Sequence, residues 1–297
     1  MLKPINVLIL GANGMLGHKL AQVLSKQYQI YVTSRSYPKK QITFLDAVNF
    51  IDNVSAENID SIIQSIKISK PQCVINCIGI VKQQKLAKDP LSSISVNSLF
   101  PHRLAQICQA ANIRLIHIST DCVFSGSQGN YRETDFPDAD DLYGRTKLLG
   151  EVGGEACLTI RTSIIGRELE SSHGLIEWFL AQQGKTIKGY QKAIFSGFTT
   201  LALANIISTL ITDFLHLSGL YHVASEPISK YDLLNLVKQV YQVSVNIEPD
   251  NSVKCDRSLN PEKFKQATDI HIPSWQTMIQ QMYQDTTPYN QLRGDLC

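Results

Sequence analysis

The amino-acid sequence predicts an α/β protein in which a doubly wound parallel sheet is joined to a smaller, interleaved C-terminal domain. Over the first 160 residues, short apolar runs alternate with longer segments of helical periodicity. This alternation is typical of a parallel sheet covered by helices on both faces. The strand candidates are residues 6–10, 29–33, 41–44, 73–77 and 114–118, and the crossover helices are residues 15–26, 56–69 and 90–111.

The pattern changes after Arg161. A helix from Leu142 leads to a sixth strand at 157–161, and helical patterns follow at 175–183, 201–215, 230–241 and 274–284. Segments 185–200 and 249–261 contain Gly or Pro, and we interpret them as irregular. We place an NAD(P)-binding domain at residues 1–160, with a strand near 219–224 returning to its sheet, and a substrate-binding domain at 161–297. Ligands of such sheets bind outside the carboxyl ends of the strands, so we expect the active site in the cleft between the domains.

The composition is that of a folded globular protein without a large charged surface. Of the 297 residues, 43% are hydrophobic and 18% are charged, and the net charge of +2 gives no basis for binding nucleic acid or a membrane. The seven cysteines form an odd count without a Cys-x-x-Cys pair, which favours a reduced, cytoplasmic setting. The first apolar run is too short for a signal peptide. The longest apolar stretch, 201–220, has its polar residues on one helical face, which predicts an amphipathic helix and not a membrane span.

Three glycines lie between the first predicted strand and the first predicted helix. Gly11, Gly14 and Gly17 would let the backbone turn tightly and approach a pyrophosphate, which the N–H groups of a helix N-terminus stabilise. The spacing is one residue longer than the usual dinucleotide fingerprint, and a plain glycine-rich turn is the alternative. The strand before and the helix after favour a Rossmann-type nucleotide site.

The residues after the second predicted strand bear on the choice of cofactor. Ser34 and Arg35 stand where an NAD-binding protein usually has an acidic residue for the ribose 2′-hydroxyl. A serine and an arginine suit a 2′-phosphate, so NADPH is favoured and NADH is the alternative. Arg35 could equally be an ordinary solvated loop residue. Asp46, ending the third predicted strand, is a candidate to accept a hydrogen bond from the adenine amine, and a turn residue is the alternative.

A tyrosine and a lysine four residues apart form the candidate proton donor. Tyr143 and Lys147 would share one face of a helix. An ammonium about 4 Å from a phenol contributes roughly 4 kcal/mol at an effective dielectric near 20, which is about three pKa units. Tyr143 would give its proton to a carbonyl oxygen as hydride arrives at the carbon, while Lys147 lowers the pKa of the phenol and holds the nicotinamide ribose. Thr120, ending the fifth predicted strand, would hydrogen-bond the same oxygen and fix its direction. Taken alone, Tyr143 and Lys147 could be two exposed side chains of a helix, with the aromatic ring packed on the lysine stem. The glycines and Thr120 favour the catalytic interpretation.

Five motifs extend this reading over nearly the whole chain. They are Gly11-Ala12-Asn13-Gly14-Met15-Leu16-Gly17, Ile75-Asn76-Cys77-Ile78-Gly79, Ser119-Thr120-Asp121-Cys122-Val123-Phe124-Ser125-Gly126, Tyr143-Gly144-Arg145-Thr146-Lys147 with Gly150-Glu151, and Ile160-Arg161-Thr162-Ser163. Together they resemble the extended short-chain dehydrogenases/reductases, and within them the dTDP-4-dehydrorhamnose reductase-like branch. The resemblance implies reduction of the 4-keto group of a nucleotide-linked 6-deoxyhexulose with NADPH, which makes activated deoxysugars for surface polysaccharide.

The resemblance also implies individual roles. By it, the pyrophosphate contacts are Asn13, Met15 and Leu16, the nicotinamide contacts are Cys77, Ile78 and Gly79, and the sugar contacts are Thr120 and Asp121.

Two substrate-side positions depart from the family pattern. Cys122 stands where members commonly have Tyr, and Ile164 where many place Trp against the nucleotide-sugar. Because both departures fall on the substrate side, the resemblance supports the reaction type better than it supports the rhamnose precursor as the substrate. Another 4-keto-6-deoxy sugar, such as an N-acetylated one on UDP, is an open alternative. Arg257, with Lys254 nearby in the sequence, is the candidate for the substrate diphosphate. A surface charge on a loop is the alternative.

Other functions share this fold. A dehydratase would need Glu directly after Ser-Thr-Asp, and Cys122 cannot replace it. A nucleotide-sugar 4-epimerase would use the same Thr, Tyr and Lys but retain NAD. A regulatory subunit like that of methionine adenosyltransferase would be non-catalytic. The sequence leaves open the nucleotide (dTDP, UDP or GDP), the sugar stereochemistry and a homodimer. It has no metal-ligand spacing, and a divalent ion at a subunit contact stays open.

Overall fold

The computed structural model describes residues 4–36, 48–169 and 172–293, excepting the side chains of Lys85 and Arg293. The first part of the chain contains β1 (Asn6–Leu10), α1 (Met15–Leu24), β2 (Gln29–Thr33), β3 (Val48–Ile51), α2 (Ile59–Ser69), β4 (Cys73–Asn76), α3 (Pro90–Ser93), α4 (Phe100–Ala110), β5 (Arg114–Thr120), α5 (Leu142–Leu149) and β6 (Cys157–Thr162). A π-helical segment, Ile94–Leu99, joins α3 to α4.

The second part begins with short strands and then alternates longer strands with helices. Its elements are β7 (Ile164–Ile165), α6 (Leu175–Leu180), β8 (Thr186–Phe195), β9 (Phe198–Thr199), α7 (Thr200–Thr212), β10 (Gly219–His222), β11 (Ile228–Ser229), α8 (Lys230–Tyr241), β12 (Asn246–Asp256), α9 (Glu262–Thr268), α10 (Trp275–Tyr283) and α11 (Tyr289–Arg293).

The predicted parallel sheet is confirmed. Within the described residues it has seven strands in the order β10-β6-β5-β4-β1-β2-β3, and the pairs β1–β2, β1–β4, β2–β3 and β4–β5 are parallel. Because helices cover both faces, the central strands are mostly apolar, and residues 7–10 of β1 are fully buried. The predicted strand 41–44 lies outside the described residues. The strand beside β2 is β3, which the sequence analysis missed.

The prediction that segments 185–200 and 249–261 are irregular was wrong. The first segment contains β8 and β9, and most of the second lies in β12. Strands β11, β8 and β12 form a three-stranded sheet in which β12 is an edge strand. An edge position tolerates Pro249, which has no N–H to donate, and this is why a proline-containing segment forms a strand here.

The described chain divides into two compact units. The first comprises Met1–Ser119, Asp140–Ile160 and Ala204–Leu220, and the second comprises Thr120–Ala139, Arg161–Leu203 and Tyr221–Cys297. The units exchange segments along the chain, so they differ from the contiguous ranges 1–160 and 161–297, which remain a proposal about ligand binding. No helix in the described part of the chain combines the length and apolar character needed to cross a membrane.

Candidate active site

The turn between β1 and α1 has the shape that a pyrophosphate requires. Gly11 has a φ of +86°, and a Cβ at Gly17 would collide with the Gly11 carbonyl oxygen. Helix α1 starts after Gly14 without a side-chain cap, so its first turn can offer N–H groups to an anion. The Oδ1 atom of Asn13 is buried and has no hydrogen-bond partner among the described residues. The N–H groups of the first turn and a cradle closed to any Cβ fit a nucleotide phosphate, whereas the unpaired Asn13 oxygen fits a donor such as a ribose hydroxyl.

The predicted phosphate contacts occupy the start of α1. Met15 is half-buried, and Leu16 is buried in the core. Leu16 can therefore reach a phosphate only through its backbone N–H. This position of its side chain explains why an apolar residue belongs to the motif.

Among the residues that the structure describes at the end of β2, the exposed cation is Arg35. The hydroxyl of Ser34 donates to the Ser36 carbonyl oxygen at 2.6 Å, whereas Arg35 is exposed. The backbone of Ser34 also bonds to Ile51, the last residue of β3. Arg35 is thus the better placed of the two predicted residues to meet a 2′-phosphate.

The predicted adenine contact, Asp46, lies outside the described residues and stays a prediction. Strand β3 ends at Ile51, and the exposed Asp52 that follows it is a second acidic residue at the end of a strand beside β2.

The segment after β4 packs against the glycine turn. The Cys77 N–H donates to the Leu10 carbonyl oxygen at 3.0 Å. A Cβ on Gly11 would lie 3.2 Å from both Cγ1 and N of Ile78, so the two turns are in close contact. Burial raises the pKa of the Cys77 thiol to about 12, against the smaller opposing effect of Lys147. Cys77 is therefore a neutral thiol and contributes packing, not charge.

Helix α5 holds the predicted tyrosine and lysine. Asp141 caps it by accepting from the Gly144 N–H at 2.7 Å, and Lys82 pairs with the same carboxylate at 2.6 Å. Tyr143 is half-buried, and Lys147 is only 5% exposed. Burial lowers the pKa of Lys147 to about 8, opposed by the negative charge of Glu151 and by Cys77. The lysine is a cation at neutral pH that can readily lose its proton.

Asn97, a fully buried residue that the sequence analysis missed, connects the segment after Gly79 to α5. Its Oδ1 accepts from the Ile80 N–H at 2.8 Å, and its Nδ2 donates to the Ile80 carbonyl at 3.0 Å and the Thr146 hydroxyl at 3.3 Å. Asn97 lies in the π-helical segment, and such segments are frequent at functional sites. No signal in the sequence marked it, because the predicted crossover helix contains many other polar residues.

The predicted sugar contacts lie together in the second unit. The Thr120 hydroxyl donates to Asp121 Oδ1 at 3.1 Å and accepts from the Cys122 N–H at 3.1 Å. Burial raises the pKa of the Asp121 carboxyl, and the Arg257 charge is the largest effect opposing it. Burial likewise raises the pKa of Cys122 to about 12. Asp121 is thus buried, and Cys122 is a half-buried neutral thiol.

The guanidinium of Arg257 lies close enough to Asp121 to act on its pKa. The Arg257 Nε donates to the Phe124 carbonyl oxygen at 2.8 Å, and its guanidinium charge opposes the rise in the pKa of Asp121. Lys254, by contrast, is exposed on strand β12. Alternate residues of a strand point to opposite faces. The Cys255 thiol lies 3.7 Å from the Ser125 carbonyl oxygen, so the side chain of its neighbour Lys254 points to the other face of β12. Ile164 lies in β7, paired with Phe198 of β9.

Comparison with known proteins identifies the family. The model of the RmlD substrate binding domain matches residues 5–287. The chain belongs to the RmlD family. This confirms the branch predicted from the motifs.

Within the described residues, no group of three or more His, Cys, Asp or Glu side chains could hold a metal ion.

Several named relatives of this RmlD-family chain are reductases. It is 29% identical to the probable low-salt glycan biosynthesis reductase Agl14 of Haloferax volcanii, over 73% of this chain and 74% of the relative. It is 27% identical to dTDP-4-dehydrorhamnose reductase of Aggregatibacter actinomycetemcomitans, over 76% of each chain. Over 48% of this chain it is 29% identical to methionine adenosyltransferase 2 subunit beta of Xenopus laevis, covering 41% of that subunit.

Solved structures share the RmlD-family fold. The dTDP-4-dehydrorhamnose reductase of Bacillus anthracis in complex with NADP superposes with a TM-score of 0.80 at 21% identity, covering 96% of this chain and all of that one (100%). The UDP-glucose 4-epimerase of Thermus thermophilus in complex with NAD gives 0.76 at 17% identity, covering 94% and 97%. At these identities the likeness concerns the fold alone.

Proposed function

We propose that this protein reduces the 4-keto group of a nucleotide-linked 6-deoxyhexulose with NADPH, in the synthesis of activated deoxysugars for surface polysaccharide. The observation that carries the proposal is the pair of Tyr143 and Lys147 on α5. A half-buried phenol one helical turn from a buried ammonium can supply a proton, and the glycine cradle of the same unit fits a dinucleotide. The reductases among the relatives support this choice.

The cofactor in this proposal is a nicotinamide dinucleotide, and NADPH is preferred to NADH. When bound, it supplies the hydride that reduces the carbonyl carbon. Arg35 would pair with the 2′-phosphate through its guanidinium. The amide nitrogen of Asn13 and the N–H groups at the start of α1 would donate to the pyrophosphate. The Bacillus anthracis reductase in complex with NADP supports the same choice.

The protein residues would manage the proton. Tyr143 donates its phenolic proton to the carbonyl oxygen as negative charge develops there, and Lys147 stabilises the resulting phenolate. Thr120 would donate a hydrogen bond to the same oxygen, which requires its hydroxyl to turn away from Asp121. One hydride and one proton then convert the ketone to an alcohol, with Tyr143 left as the phenolate to be reprotonated from solvent.

The substrate in this proposal is a nucleotide-diphosphate sugar with its diphosphate on Arg257. Ile164 offers an aliphatic surface instead of an indole, and Cys122 offers a half-buried neutral thiol instead of a phenol. These residues would contact the nucleotide-sugar and set the preference among 4-keto sugars. A homodimer stays a prediction.

The second candidate function is 4-epimerisation, which the fold of the NAD-bound epimerase supports. No acidic residue stands at positions 34 and 35, where NAD retention would favour one. A regulatory subunit is a weaker candidate, because the match to methionine adenosyltransferase 2 subunit beta covers only 48% of this chain.

The test is oxidation of NADPH by the purified protein with a panel of dTDP- and UDP-linked 4-keto-6-deoxyhexoses, with and without a 3,5-epimerase. We expect turnover with one member. A protein that retains NAD through purification and interconverts 4-epimers would support the epimerase. Co-purification with a synthetase and no turnover would support the regulatory subunit.

A further inference from the structure

Two buried polar side chains, Asn76 and His117, link the centre of the main sheet to the proposed nicotinamide segment. They are register partners, Asn76 at the end of β4 and His117 in the middle of β5, and both are fully buried. Nδ2 of Asn76 and Nδ1 of His117 are 3.1 Å apart. Neither residue has a part in the proton transfer described above, so their burial needs a separate explanation.

The direction of this hydrogen bond follows from the second contact of Asn76. Its Oδ1 accepts from the Ile78 N–H at 3.1 Å, so the amide nitrogen is the group that faces His117 and it must donate. His117 Nδ1 therefore accepts, and the imidazole is neutral with its proton on Nε2. Burial, with the nearby charge of Lys147, holds the pKa of His117 well below its usual range, which agrees with a neutral ring.

The remaining ring nitrogen shows that the contact with Asn76 is specific. His117 Nε2 is buried without a hydrogen-bond partner among the described residues. Leaving a buried N–H unpaired is unfavourable, and a leucine at this position would avoid it. Within the described residues, the hydrogen bond that the His117 ring makes is therefore the one in which Nδ1 accepts from Asn76.

From Asn76 the connection continues to the cofactor cradle. The Asn76 bond fixes the turn through Cys77 to Ile78, and Ile78 packs directly against Gly11, which has no Cβ to separate them. A rotation of the Asn76 amide would release the Ile78 N–H and disturb the wall that faces Gly11. We propose that His117 is a positioning residue for the dinucleotide: it holds the Asn76 amide in the orientation that fixes Ile78 against the phosphate turn.

This inference rests on the proposed function, because it assumes that NADPH binds at the glycine turn. The test measures equilibrium binding of NADPH by its fluorescence, together with KM and kcat. His117→Leu should raise the Kd and KM for NADPH about tenfold, with kcat at saturating NADPH changed much less. His117→Asn should restore binding to near the wild-type value, because its Oδ1 can take the place of Nδ1.

Ile116→Val is the matched control, because Ile116 precedes His117 on β5 and pairs with Ile75 in the register. It loosens packing without touching the hydrogen bond and should leave the Kd unchanged. Equal Kd values for His117→Leu and wild type would overturn the inference, as would equal weakening in Ile116→Val or no rescue by asparagine. Should His117→Leu not fold, His117→Val gives the same comparison. Absence of NADPH binding by the wild type would instead refute the proposed function.

Discussion

The ammonium group of Lys147 donates a hydrogen bond to the backbone oxygen of Ile118 at 2.8 Å. This bond ties the end of a side chain on α5 to strand β5, whose last residue is Thr120. Lys147 lies one turn after Tyr143, so fixing the lysine also limits how α5 can rotate. The ammonium is therefore held by the fold before any ligand binds, which reduces the reorganisation needed during reaction.

Replacing the proton donor should abolish turnover while sparing the cofactor site. We expect Tyr143→Phe to lower kcat by about 10²–10⁴-fold with little change in NADPH affinity, because the substitution removes only the phenolic hydroxyl. Tyr28→Phe is the control, since it removes a buried hydroxyl that donates to the Ser208 carbonyl oxygen within the same unit. Kinetics with the best substrate of the panel, combined with NADPH titration, provide the measurement. Unchanged kcat in Tyr143→Phe would refute its role.

Activity should fall as the pH rises through the pKa of Lys147. Burial lowers this pKa to about 8, so the cation that stabilises the phenolate is present below about pH 8 and is lost above it. Glu151 raises the pKa of Lys147, and its carboxylate accepts from Ser119 at 2.7 Å. Glu151→Gln can keep that acceptor without the charge, and should move the alkaline limb of the kcat profile to lower pH.

The exposed Glu155 provides the matched control, and Glu155→Gln should leave the limb in place. A limb that stays put or moves upward in Glu151→Gln would contradict the proposed electrostatic contribution of Glu151.

Cofactor preference should depend on Arg35. A hydrogen bond to a charged group contributes about 1.5–3 kcal/mol, so Arg35→Ala should weaken NADPH by about 10–100-fold. NADH has no 2′-phosphate and should be little affected. Arg103→Ala, at another exposed arginine of the first unit, should change neither affinity. The measurement is titration of each variant and of the wild type with NADPH and with NADH. An equal loss of affinity for both cofactors in Arg35→Ala would rule out a 2′-phosphate contact.

The glycine turn should not tolerate a methyl group at position 17. The Cβ of Gly17→Ala would meet the Gly11 carbonyl and the Ala12 backbone, and we expect a loss of about 1–3 kcal/mol in unfolding free energy together with weaker NADPH binding. In Gly153→Ala the Cβ would meet nothing within 4 Å, so this variant should behave as wild type. Chemical denaturation and NADPH titration test both. Normal binding by Gly17→Ala would argue against a close approach of the phosphate to this turn.

The parallel sheet and the α5 residues could be predicted because their signals are local. A fully buried strand needs a continuous apolar run, and a helix places residues four apart on one face. Strand β12 could not be predicted in this way. Pro249 and its polar neighbours resemble a loop, and only the edge position beside β8 makes them a strand.

The supporting polar residues of the site were also beyond the sequence. Asn76 bonds to His117, 41 residues away, and Asn97 bonds to Thr146, 49 residues away. Such pairings depend on which strands and helices become neighbours. No local pattern marks them, whereas the glycines and the Tyr–Lys pair carry their chemistry in their own spacing.

The most direct test of the proposed reduction is isotope transfer from NADPH deuterated at the position of the departing hydride. The purified wild-type protein would be incubated with each 4-keto-6-deoxyhexose of the panel, and the product sugar analysed by NMR and mass spectrometry. We predict that one sugar gains a single deuterium at its former keto carbon while an equal amount of NADPH is oxidised. Binding of NADPH without deuterium transfer to any sugar of the panel would contradict the proposal.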